Sequence, residues 1–292
     1  MGSGGAGTNG AGGAGGTTAA TGAGGSGGAA GTQVDGGQAG ATEAGDARPT
    51  GDAANDAIGD GAIPYNPCPP QGTPCVILPV GDSITAGVGT ADMSSYRVPL
   101  FHLAHMNLQS ITFVGAVING PAMVDGVPFP NHHEGFSGYT IDTITDAGRM
   151  GISQFFPAAI TTYRPHIVLL MIGTNDVDIA ETMIPTRLGT LMDSMLNADP
   201  NLLLVVAQIV PQIRATPDTL NTRIQAYNAA IPGLVRTRAD AGKHVVMVDM
   251  YNAFAQNVNY STAYMTDRLH PNAAGYAVMA DTWYAAIRQL LR

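Results

Sequence analysis

The stretch that decides the reading of this chain is Cys75-Val76-Ile77-Leu78-Pro79-Val80-Gly81-Asp82-Ser83. Its first six residues show no polar alternation, which suits a strand buried on both faces, and Gly-Asp-Ser suits a tight turn at its end. Apolar runs recur at 111–115, 167–173, 202–209 and 245–249. Between them helical patterns occupy 96–107, 140–163, 183–198 and 220–241, and an amphipathic helix closes the chain at 272–292. Strand and helix in turn predict a five-stranded parallel sheet covered on both faces. In such a sheet, sites form outside the carboxyl ends of the strands, where Ser83 would stand.

Upstream of that stretch the composition changes. Residues 1–62 hold 22 of the 38 glycines and, beyond Ala and Thr, almost no aliphatic side chains. Such a segment cannot bury enough apolar surface to offset its ordering entropy, so a disordered N-terminal tether is expected. Residues 63–74 read as a linker, and 75–292 as one catalytic domain of a size that suits a single core.

The formal charge is −9, but residues 1–60 carry six acids against Arg48 alone, so the remainder is only mildly acidic. Lys243 is the only lysine, and the clustered cations that neutralise phosphates are missing. A nucleic-acid partner is therefore disfavoured and none is expected, and an anionic membrane surface is disfavoured for the same reason. No apolar run is long enough to span a bilayer. Met1-Gly2-Ser3 lacks the charged and apolar parts of a signal peptide, so the expectation is a secreted chain whose export signal has been removed.

Cysteine occurs only at Cys68 and Cys75, closing a short Pro-rich loop. The pair reads as a disulfide clasp in an oxidising compartment or as two free thiols; zinc would need two further ligands, and none is nearby.

Ser83 pairs with a distant block, Asp267-Arg268-Leu269-His270. A serine hydroxyl becomes a good nucleophile only when a neighbouring base accepts its proton, and a strand-ending turn projects it while leaving backbone N–H groups to face a substrate. His270 supplies the base. Asp267, three residues earlier, can accept the imidazole N–H and stabilise the imidazolium as it forms. Taken singly, Gly-Asp-Ser is an ordinary turn and Asp267/His270 an ordinary capping pair at the start of the last helix. Two more stretches offer donors. Asn175, in Gly173-Thr174-Asn175-Asp176 at a strand end, can bond to the oxyanion of a tetrahedral intermediate or simply make a turn. In the Gly-rich loop His133-Glu134-Gly135-Phe136-Ser137-Gly138-Tyr139-Thr140-Ile141, the glycines permit close backbone approach, so an N–H there can be a further oxyanion donor.

With these four blocks in this order on an alternating α/β pattern, the chain resembles the SGNH (GDSL-like) hydrolases, whose signature is a Ser, a Gly, an Asn and a His in successive blocks. Ser83, Gly138, Asn175 and His270 match them, and the likeness spans residues 76–292. It looks most similar to the carbohydrate esterases of family 3, which include acetylxylan esterases, on Tyr96-Arg97 with Pro99-Leu100, on His133-Glu134-Gly135, and on Val248-Asp249-Met250. The resemblance implies a three-layer α/β/α flavodoxin-like fold and two-step ester hydrolysis with no cofactor and no metal. Ser83, Asp267 and His270 would be catalytic; the N–H groups of Ser83 and Gly138 and the Asn175 amide would form the oxyanion hole. The substrate would be a short acyl ester on a polysaccharide such as acetylxylan, or a small ester. The alternative is a broad short-chain or lipase-like esterase, although the lack of a long apolar lid segment favours small acyl groups. The resemblance does not cover residues 1–62.

Other residues have plainer explanations. His102 and His105 with His132 or His133 can be drawn as a metal site, but no carboxylate or cysteine spacing supports it. Met171, Met192, Met195, Met247 and Met250 fall on aliphatic patterns and suit the core. Tyr139, Tyr251, Tyr260, Tyr264 and Trp283 can be drawn as a sugar-stacking platform or as core and rim residues. Two rival classes remain, a metal-dependent deacetylase and an inactive adhesion module. An inactive module would be free to lose Ser83, Asn175 or His270, and all three are present.

Overall fold

The computed structural model describes residues 65–213 and 219–292, so the tether expected over 1–62 lies outside the described residues. The strands are β1 Cys75–Gly81, β2 Ile111–Phe113, β3 Val117–Ile118, β4 Met123–Val124, β5 Val127–Pro128, β6 His132–Gly135, β7 Ile167–Met171, β8 Leu203–Ala207 and β9 Val245–Val248. The helices are α1 Ser83–Ala86, α2 Arg97–Met106, α3 Ala158–Tyr163, α4 Thr174–Asp178, α5 Ile184–Ala198, α6 Thr219–Asp240, α7 Met250–Ala255, α8 Tyr260–Ala263 and α9 Ala273–Ile287.

All five expected strands are present and parallel, in the order β2-β1-β7-β8-β9, which counted among themselves is the doubly wound 2-1-3-4-5. The sheet itself is wider than five strands. β6 pairs with the second half of β1, with Val80 opposite Glu134 and Gly81 opposite Gly135, in the lane that β2 occupies beside the first half. β3 then pairs antiparallel with β6, giving a seven-stranded sheet, while β4 and β5 form a separate hairpin. The His133-Glu134-Gly135 run, read as loop, is thus strand. Its polar side chains hid it, and they are satisfied internally: Glu134 Oε1 accepts the Ala116 N–H, and His133 Nε2 pairs with Asn119 Oδ1.

Helices pack in two sets, α2, α7 and α9 in one and α3 to α6 in the other, with the sheet between them as the third layer. β7 and β8 are buried along their whole length, as are Met171, Met192, Met195 and Met250, whereas Met247 is half-buried. Each fully buried Leu, Ile or Val contributes about 1.5–3 kcal/mol, so the central strands carry much of the core's stabilisation. Trp283 is fully buried against Tyr96, which removes it from any sugar platform. Cys68 and Cys75 form a disulfide immediately before β1. Tyr65 stacks on His244 and donates to the Asn201 carbonyl, so the described chain begins at the amino ends of β8 and β9.

Among the expected helices, one departs from expectation. The helix read over 140–163 exists only as α3, its last six residues. Before it come two short 3₁₀ turns, Thr145–Ala147 and Ile152–Phe155, with bridges Thr140 to Gly151 and Ile144 to Arg149. Five of the six residues in Thr140-Ile141-Asp142-Thr143-Ile144-Thr145 are β-branched and disfavour helix, and Gly148, Gly151 and Pro157 interrupt the segment three more times. A helical spacing of apolar residues was produced here by a compact loop.

Candidate active site

Three neighbouring lanes of the sheet end at one place. β1 runs into α1, whose first residue is Ser83; β6 runs into the turn carrying Gly138; β7 runs into α4, whose second residue is Asn175. The β1 turn is dictated by contact. A Cβ on Gly81 would lie 2.3 Å from the Met171 carbonyl oxygen, so only glycine lets β1 and β7 finish side by side. Asp82 then caps α1, its Oδ1 accepting the Ile84 N–H at 2.9 Å. As the first residue of a helix, Ser83 has an N–H with no partner inside that helix.

Asp267 and His270 lie between α8 and α9. The His270 imidazole reaches Ser83 Oγ with Nε2 at 3.0 Å and Asp267 Oδ2 with Nδ1 at 2.8 Å. Asp267 Oδ1 also accepts the Leu269 and His270 N–H groups, both at 2.7 Å. Partial burial pushes the Asp267 carboxyl up, but the bonds from the His270 ring and these two N–H groups outweigh it, so the group sits below its ordinary range and is ionised at neutral pH. An ionised Asp267 accepts the hydrogen bond from Nδ1–H, which leaves Nε2 to accept one from the Ser83 hydroxyl.

The candidate donor side combines backbone with one side-chain amide. The Phe136 N–H donates to the Gly81 carbonyl at 3.1 Å, fastening the Gly138 turn to the strand that carries Ser83. Gly138 adopts a left-handed φ of +80°, and Arg149 Nη1 donates to its carbonyl at 3.3 Å. Asn175 Nδ2 donates to the Tyr139 carbonyl at 2.8 Å, and its second amide hydrogen remains for a ligand.

Several participants are given no role in the site by the sequence. Gly89 is where the two distant blocks touch: a Cβ there would lie 2.2 Å from the Pro271 carbonyl oxygen and 3.2 Å from His270 Cβ. Thr266 Oγ1 donates to the Gly89 carbonyl at 2.8 Å and the Tyr276 hydroxyl to Val88 at 2.6 Å, clamping the loop after Ser83 onto the His270 segment. The only sequence signal was the Gly87-Val88-Gly89 pattern. Arg97 is fully buried and donates to the carbonyls of Met93, Asn119 and Asn131, and burial lowers it to about 10. Below the strand ends, Asp82 and Asp176 are fully buried. Burial pushes Asp82 up, opposed by the Ile84 N–H and the Thr174 hydroxyl, and pushes Asp176 up to about 7.

The other histidines are engaged elsewhere. His102 pairs with Asp125 at 2.8 Å, His105 stacks on Phe101, and His132 contacts the Gly115 carbonyl. Buried His133 is lowered to about 3, chiefly by burial, and is neutral. Tyr139 lies beside Gly138 in an aromatic group with Phe136 and Phe155, with centroids 5.2 Å and 6.2 Å away.

Residues 80–278 match the GDSL-like Lipase/Acylhydrolase family. The chain belongs to that family. For this domain the membership gives the enzyme class expected from the motifs, a carboxylic ester hydrolase. Similarity to family 3 carbohydrate esterases is also shown. A solved family 3 carbohydrate esterase of Clostridium thermocellum is 33% identical with a TM-score of 0.61, over 75% of this chain and 98% of that one. A putative endoglucanase X of Acetivibrio thermocellus is 33% identical over 134 residues, 46% of this chain and 54% of its own length. A multidomain esterase of Ruminococcus flavefaciens is 29% identical over 233 residues, 74% of this chain and 29% of its own length. The chain thus spans about half or less of these two curated relatives.

Proposed function

We propose that the protein is a secreted serine esterase that removes short acyl groups, acetyl above all, from a polysaccharide such as acetylxylan. The unbroken line of hydrogen bonds from Asp267 through His270 to Ser83 carries this reading. Ser83 Oγ attacks the ester carbonyl as His270 Nε2 takes its proton, and Asp267 holds the ring and stabilises the imidazolium. The Ser83 and Gly138 N–H groups and the Asn175 amide receive the oxyanion. His270 returns the proton to the leaving sugar hydroxyl, and water repeats the sequence on the acyl-enzyme. The likeness to a carbohydrate esterase supports a sugar-borne ester, and the Cys68–Cys75 disulfide supports an oxidising, extracellular setting.

Rates on nitrophenyl acetate, butyrate and octanoate beside acetate release from acetylated xylan test the substrate. Acetate and acetylxylan should lead; a preference for octanoate would overturn the short-acyl assignment. Ser83→Ala should lower kcat by about 10⁴ to 10⁶ with the fold intact, and an active Ser83→Ala protein would remove the nucleophile assignment.

A further inference from the structure

Asp176 directly follows Asn175, touches none of the reacting groups, and is fully buried. Together these neighbours grip one stretch of backbone at two points. Asn175 Nδ2 donates to the Tyr139 carbonyl at 2.8 Å, and the Ile141 N–H is shared by Asp176 Oδ2 at 3.1 Å and Oδ1 at 3.3 Å. The stretch is tied on both sides of the grip. Upstream, Phe136 is bonded to Gly81 and accepts the Tyr139 N–H; between the two points the Thr140 N–H donates to Met150, and downstream the Ile141 carbonyl accepts the Ser153 N–H. Gly138 lies between the part fixed to the strand of Ser83 and the part fixed to α4. An oxyanion donor misplaced by an ångström loses most of its value, so whatever sets the aim of this N–H matters to the rate.

We propose that Asp176 is a positioning residue of the oxyanion hole: by holding the Ile141 N–H while Asn175 holds the Tyr139 carbonyl, it fixes the Gly138 N–H relative to Ser83. The proposal rests on the esterase reading and concerns how that site is held, not what it acts on.

Its surroundings give it a pH signature. Burial pushes Asp176 up to about 7; the N–H groups of Ile141 and Asp176 and the Arg187 charge oppose that, and the Asp82 charge adds to it. The groups facing it are Arg187 on α5, itself paired with Glu181 at 3.1 Å; Asp82 beyond β1; and Tyr227 on α6, which donates to the Ile172 carbonyl. As pH falls through about 7 the carboxylate gains a proton and becomes a weaker acceptor for Ile141, so the grip loosens. The acid limb of kcat therefore contains this ionisation.

The test uses the full chain on nitrophenyl acetate with Asp176→Ala, Asp176→Asn, Asn175→Ala, the double variant Asn175→Ala/Asp176→Ala, and Ser83→Ala in parallel. Asp176→Ala should lower kcat about 10- to 100-fold with KM changed less than about twofold, and Asp176→Asn, whose amide oxygen still accepts but carries no charge, as in the protonated acid, should recover only part of it at pH 8. On the acid limb, log kcat should fall with a slope near one in Asp176→Asn and more steeply in the wild type. The two alanine losses should combine to less than their product, as expected for residues acting on one structure. An unchanged kcat in Asp176→Ala, a rise in KM alone, or equally steep acid limbs in wild type and Asp176→Asn would overturn the proposal. If Asp176→Ala does not fold, the acid limb of Asp176→Asn decides. A Ser83→Ala protein that keeps its activity would instead overturn the Ser83 nucleophile assignment on which the proposed site rests, so the two failures are distinguishable.

Discussion

The rim and the floor of the candidate site use the same side chain in opposite ways. At the rim, Asp267 is exposed to solvent and held below its ordinary range by three hydrogen bonds, so it stays charged beside the His270 ring. At the floor, Asp82 and Asp176 are sealed beneath the strand ends and pushed up by burial, and they bond to backbone rather than to a titrating partner. Environment, not residue type, sets the role: the rim carboxylate is available to stabilise a charge that comes and goes, while the floor carboxyls fix the backbone carrying Ser83 and Gly138.

The largest effect that would break this comparison is at the rim. Asp267→Asn presents an amide N–H to the imidazole, favours the tautomer with the proton on Nε2, and removes the base; kcat should fall by about 10⁴ with melting temperature nearly unchanged. A loss under tenfold would show that the rim charge is dispensable. Next, Asn175→Ala lies where rim and floor meet, and should lower kcat by about 10² to 10³ with little change in KM, measured on nitrophenyl acetate. A rise in KM with kcat unchanged would make Asn175 a ground-state binding residue.

A smaller effect concerns stability. The folded pKa of Asp176, about 7, is above its unfolded value near 4, so the native state binds this proton more tightly. Its contribution is fully present below about pH 4 and is lost as pH rises toward 7, by at most about 4 kcal/mol. Asp176→Asn cannot ionise, so its melting temperature should gain on the wild type by several degrees between pH 4 and pH 7. Parallel melting curves across that range would place the Asp176 carboxyl in a wetter setting than its burial indicates. The smallest effect is expected from the N-terminal segment. A chain beginning at Ile63 keeps both cysteines and every block, and its kcat/KM on a soluble acetyl ester should equal that of the full chain. Loss of that activity without unfolding would put residues 1–62 in the site.

Legibility followed locality. The runs at 75–80 and 167–173 could be read because strands buried on both faces are apolar at every position. The 140–163 reading failed because a compact loop and an amphipathic helix can share an apolar spacing, and only the β-branched residues with Gly148, Gly151 and Pro157 separated them. β6 was missed because His133 and Glu134 are costly to bury unless partners such as Asn119 and Ala116 arrive from elsewhere in the chain.

By itself the sequence determined the order of strands and helices, the parallel sheet that this order requires, and the four blocks that carry Ser83, Gly138, Asn175 and His270. The elements are properties of neighbouring residues, fixed by periodicity and turn chemistry, and the four blocks stand out through their resemblance to a family signature. Tertiary structure alone decided that His270 stands 3.0 Å from Ser83 across 187 positions, that Gly89 is the point at which their segments touch, and that Asp176 is sealed while Asp267 is wet. Distance and burial arise from which segments pack together, and no local pattern encodes the solvent that a side chain will lose when the rest of the chain closes over it.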